Sequence, residues 1–78
     1  MTMAKKQQAI SDKTVVGANG YCYSYRNHII LITPGFCGFH GEITFNNELV
    51  DSGFCGYGLK TCIERINRRI DRDIADNG

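Results

Sequence analysis

The chain has 78 residues, with nine Lys+Arg against eight Asp+Glu and a formal net charge of +1. That length makes one domain with a thin core, contributing about 3–5 kcal/mol net unless a staple, a metal or a partner subunit adds to it. Near-neutral charge excludes tight bulk-electrostatic binding to a nucleic-acid backbone, and equally excludes acidic mimicry of DNA.

Residues 1–13 are polar, with Ala9 and Ile10 as the few anchors, and read as a tail or one short helix ahead of a single domain over 14–78. No apolar run follows Lys5-Lys6, and no stretch approaches the ~20 apolar residues of a membrane span. The expectation is a cytoplasmic protein without membrane contact, whose four cysteines stay reduced.

Val15-Val16-Gly17-Ala18-Asn19-Gly20 reads as a short strand or arm running into a turn. Tyr21, Tyr23 and Tyr25 then alternate with Cys22, Ser24 and Arg26, the period of a strand. Asn27-His28 offers a two-residue turn, and Ile29-Ile30-Leu31-Ile32-Thr33 returns beside it, which sets Tyr25 opposite Ile30 and Tyr23 opposite Ile32. This returning strand is apolar on both faces and belongs inside the sheet; Pro34-Gly35 ends it.

A second hairpin follows, from Glu42-Ile43-Thr44-Phe45 through Asn46-Asn47 to Glu48-Leu49-Val50-Asp51. Its loop has two or three residues, since consecutive asparagines tolerate left-handed backbone angles in either case. Leu59, Ile63, Ile66, Ile70 and Ile74 recur at steps of three or four and mark a helix face, with Cys62 at its edge. Gly58 suits the N-cap and Asn77-Gly78 the finish, while Glu64–Arg68 and Arg69–Asp73 support the helix at i,i+4. The fold class is α+β: a small antiparallel sheet of two hairpins, with three to five strands, packed against one C-terminal amphipathic helix.

Gly35-Phe36-Cys37-Gly38-Phe39 is echoed by Gly53-Phe54-Cys55-Gly56-Tyr57 on the far side of the second hairpin. Each copy reads as a glycine-flexed loop whose Phe and Cys side chains tuck into the core. A metal reading competes. Cys37 and His40, then the hairpin, then Cys55 and Cys62 in the first helical turn resemble the order of a treble-clef zinc finger. The resemblance implies a structural zinc, although Cys55 and Cys62 stand seven apart instead of about three. Apart from zinc, no cofactor is indicated. Nothing marks a cysteine as an activated nucleophile, and the phosphate-loop pattern is absent.

Arg65, Arg68, Arg69 and Arg72 fall on one flank of the helix, a basic contact for nucleic acid or a solvated face balanced by Glu64, Asp71, Asp73 and Asp76. The interleaved acids favour the solvated face. A hairpin sheet with a C-terminal helix is also the outline of a double-stranded RNA-binding domain, but Leu59-Lys60-Thr61-Cys62 lacks its lysine-rich helix start. Tyr21, Tyr23 and Tyr25, with Phe36, Phe39 and Tyr57, form the candidate protein-contact surface if the helix covers the other side of the sheet.

The layout also resembles small bacteriophage accessory proteins, anti-CRISPR inhibitors of host defence among them; the run from Ile43 to Val50 leading to the Leu59 helix carries the likeness. What this implies is a non-enzymatic inhibitor that binds a larger host protein in the host cytoplasm, alone or as a homo-oligomer such as a dimer. The alternative from the residues is a zinc-stabilised or nucleic-acid-binding module.

Overall fold

A computed structural model describes residues 10–77. Four antiparallel strands, β1 (Tyr21–Tyr25), β2 (His28–Gly35), β3 (Gly38–Phe45) and β4 (Glu48–Gly56), lie in the order β1-β2-β3-β4, and helix α1 (Leu59–Asn77) packs across one face. The expected sheet-and-helix architecture is therefore what forms, and β2 lies inside the sheet as its two apolar faces required.

The first hairpin turns one residue earlier than expected, at Arg26-Asn27, with φ of 50° and 68°. Two-residue hairpin loops need positive φ at both positions so that their twist matches that of the strands. Here Tyr25 pairs with His28, Tyr23 with Ile30 and Tyr21 with Ile32, a shift of two that leaves every side chain on its expected face. The shift frees His28 to stack on Phe45, with ring centroids 4.6 Å apart, and lets Arg26 bond Asp71 of the helix at 2.7 Å.

β2 does not end at Pro34-Gly35 but runs through both to a tight turn at Phe36-Cys37. β1 stops opposite Ile32, so Pro34 lies where the strand has a neighbour on one side only, and a missing N–H is tolerated. The residue after this turn, Gly38, has φ of 117°; a Cβ there would lie 2.6 Å from the Phe54 ring. The third turn, Asn46-Asn47, has φ of 53° and 66°, which settles the loop at two residues. β4 carries two extra residues relative to β3, Val50 and Cys55, each a bulge that bends the strand.

The helix packs down on the sheet where Gly41 of β3 faces it; a Cβ there would come within 3.0 Å of Ile66 Cδ1. The core is Ile30, Ile32, Ile43 and Cys55 from the sheet and Leu59, Cys62, Ile66 and Ile70 from the helix. Cys62, at the edge of the stripe, is nonetheless fully buried, while Ile63 and Ile74 pack half-buried against the core. Of the two expected i,i+4 pairs, Arg69–Asp73 forms at 3.3 Å; the other pair on the helix is Lys60–Glu64 at 3.9 Å. Arg69 also bonds Asp51 of β4.

The helix N-terminus is held from outside. Asp12, in the polar stretch ahead of the strands, accepts the Thr61 N–H and hydroxyl, and Ile10 and Val16 pack against the core. Residues 1–9 of the expected tail, and Gly78, lie outside the described residues.

Candidate functional site

The alternation of β1 sends Tyr21, Tyr23 and Tyr25 to the side that carries the helix. Tyr23 donates to Asn67 Oδ1 at 2.9 Å, and Tyr25 donates to the Asp71 carboxylate at 2.9 Å, a group that Arg26 also holds. Burial pushes the Tyr23 hydroxyl well above the usual tyrosine range; the hydrogen bond to Asp71 raises that of Tyr25. These tyrosines are the wall between β1 and the helix, so the expected open contact ladder is corrected: they pack against the core. Phe39 packs there as well. Phe36, at the tip of the β2–β3 turn, and Tyr57, edge-on to Phe54 at 5.1 Å, are the members of the expected surface that stand in solvent, at 103% and 80% exposure.

The echoed segments have different fates. The first is a hairpin turn with Phe36 and Cys37 exposed; the second lies along β4 and leads toward the helix, with Cys55 buried. The four residues of the zinc reading are not gathered. Cys37 sits at the turn tip and His40 on the helix-free face, whereas Cys55 and Cys62 lie together beneath the helix. Among the described residues no three His, Cys, Asp or Glu side chains converge in a way that could hold a metal. Burial, and then the hydrogen-bond contact with Cys62, push the Cys55 thiol up to about 12; burial raises Cys62 as well. Such thiols are neutral and poorly nucleophilic.

Two surfaces remain that the residue pattern alone did not single out. The first is the face of the sheet opposite the helix. Pairing sets Ser24, Ile29, Thr44 and Leu49 in one row across it and Cys22, Leu31, Glu42 and Ser52 in the next, with His40 and Phe54 beyond. Ile29 is 53% exposed and Leu49 60%, and Phe54 stands out at the far end. The signal was present in the two-sided apolar pattern of β2, but the hairpin loop length left the partner of Leu49 open, and Phe54 was read as part of a loop and not of β4.

The second surface is a groove between α1 and β4. Ile43, Cys55 and Ile66 form its floor, Phe54 and Asp51 its strand side, and Arg65, Arg69 and Arg72 its helix side, enclosing about 260 Å³. It adjoins a hollow of about 110 Å³ beside the Gly41–Gly53 pair, where Ile66 and Cys55 close over Gly41 and the space above Gly53 is open. Three of the four arginines expected on one flank thus line a common groove. Arg69 is tied to Asp51 and Asp73, whereas Arg65 and Arg72 make no ion pair among the described residues.

No family model matches the chain, and neither a curated protein nor a solved structure matches it. Among the described residues no helix is long and apolar enough to cross a membrane.

Proposed function

We propose that the chain is a non-enzymatic protein-binding module, a phage-type inhibitor that occludes a site on a larger host defence protein through the helix-free face of its sheet. One observation carries the reading: a single helix covers one face of a four-stranded sheet and leaves Ile29, Leu31, Leu49 and Phe54 on the other. Apolar side chains set among Ser24, Thr44, Glu42 and Ser52 make a surface with a greasy centre and hydrogen-bonding neighbours, the anatomy of a protein contact. The face carries one acidic side chain, Glu42, in the middle of these rows, so shape and apolar contact decide the partner more than charge does.

The test is functional and mutational together. The chain is expressed in bacteria with an active CRISPR defence, and plaque formation by a targeted phage is counted. Plating should recover with the parent chain and fail to recover with Ile29→Ser/Leu49→Ser, while the variant keeps its helical circular dichroism and melting curve. Recovery undiminished in that folded variant would remove the sheet face from the mechanism; no recovery with the parent would sink the inhibitor reading.

A further inference from the structure

We infer that the groove between α1 and β4 is a second binding site, which takes an extended acidic segment of a partner protein as an added fifth strand. This site lies along the open edge of β4 on the helix side of the sheet, and Phe54, whose strand position it uses, is the residue it shares with the helix-free face.

β4 is a sheet edge: its pairing with β3 uses one side, and no strand among the described residues takes the other. An open edge offers unpaired N–H and C=O groups to any extended chain. The bulges at Val50 and Cys55 leave Asp51-Ser52-Gly53-Phe54 as the regular stretch between them, long enough to seat a short peptide. A strand laid against that stretch sends alternate side chains to the helix side of the sheet. There they meet the floor of Ile43, Cys55 and Ile66, reachable because Gly53 puts no side chain in the way. A Cβ on Gly53 would touch nothing within 4 Å, which is the measure of that open space.

Charge selects the occupant. Arg65 and Arg72 line the helix side of the groove without ionic partners among the described residues, the side to which an added strand would send alternate side chains. Carboxylates flanking one aliphatic side chain fit this arrangement: apolar centre in the hollow, acid on either side against arginine. A second copy of the chain fits badly. Two β4 edges paired antiparallel about a two-fold axis would keep both helices on the same face and turn the flanks bearing Arg65, Arg69 and Arg72 toward each other. Like charges oppose that arrangement, and the two bulges break the long edge it would need.

The probe is the peptide fluorescein-Gly-Ser-Glu-Thr-Val-Thr-Glu-Ser-amide, followed by fluorescence anisotropy as the full chain is titrated in and, in its unlabelled acetyl form, by amide hydrogen exchange of the full chain. Binding should protect the outward amides within Asp51–Phe54, and Arg65→Glu/Arg72→Glu should weaken it by about tenfold or more. Arg68→Glu, on the outer side of the helix, should leave it within about twofold. Backbone N-methylation of alternate peptide residues should abolish binding in one phase and spare it in the other, as only strand pairing requires. Equal binding of the peptide with Lys in place of Glu overturns the proposal, as does indifference to both methylation phases. Two further results would also overturn it. One is concentration-dependent dimerisation that protects β4 without peptide, which would give the edge to a second copy. The other is an oligothymidylate that binds where the peptide does not and is lost with the same arginines.

Discussion

Asp12 and Thr61 stand 49 positions apart, yet the Asp12 carboxylate accepts the Thr61 N–H at 2.8 Å and its hydroxyl at 2.9 Å. This is a helix cap delivered from a distant segment. It satisfies one of the backbone donors that every helix start leaves over, and it sets a negative group at the positive end of the helix dipole. The Thr61 N–H and then its hydroxyl hold the Asp12 carboxyl below the usual carboxylate range, and Arg26 followed by Tyr25 do the same for Asp71.

A depressed folded-state value means that the unfolded chain takes up protons first as pH falls. The stabilisation is fully present above the ordinary carboxylate value, about 4, and is lost as pH drops through the lowered folded values. Asp12→Ala should therefore melt below the parent at neutral pH, and the gap should narrow as pH falls below about 4. Melting curves across that range check it; a gap that stays constant to the lowest pH would show that Asp12 contributes by contact and not by charge.

The helix-side tyrosines and the isoleucine stripe should separate cleanly by magnitude. Ile66→Ala empties the centre of the core beside the Gly41 approach and should cost about 2–5 kcal/mol, comparable with the whole stability of a domain this size. Tyr23→Phe keeps the ring and loses the hydrogen bond to Asn67, a cost of about 1 kcal/mol. Replacing Tyr23 and Tyr25 together by Ser should lower the melting temperature sharply, because the wall between β1 and the helix goes with them. A double variant that melts with the parent would mean the two rings are not packed as the structure has them.

Thiol reactivity should divide the cysteines in two pairs. Cys22 and Cys37 are exposed, whereas Cys55 and Cys62 are buried with raised pKa values. Iodoacetamide at about pH 8 should label Cys22 and Cys37 in the folded protein, and all four once denaturant is added, because the thiolate is the reacting species. Rapid native labelling of Cys55 would show that its corner of the core opens. Should oxidation ever join two cysteines within one folded chain, Cys55 and Cys62 are the pair in contact, not the equivalent Cys37 and Cys55 of the echoed segments.

Local patterns determined a good deal by themselves. The 3.6-residue recurrence from Leu59 to Ile74 requires a helix with one apolar face, and period-two alternation at Tyr21–Tyr25 requires a strand; neither signal depends on anything remote. Asn46-Asn47 fixed a turn because asparagine accepts positive φ at little cost. Which side of the sheet the helix would cover was a different kind of question. Alternation gives every strand two faces without ranking them, and only the assembled core of Ile30, Ile32, Ile43 and Ile66 decided that Tyr23 faces the helix and Ile29 faces outward. The echoed Gly-Phe-Cys-Gly segments met the same limit, since one became a turn and the other a strand through pairing with β3. The arginine flank was legible as a flank, but its groove exists only because β4 lies beside it and Gly53 leaves open space there. Hydrogen-bond register and packing act across dozens of residues, so a site assembled from Asp12 and Thr61, or from Gly53 and Arg72, has no local sequence signal to read.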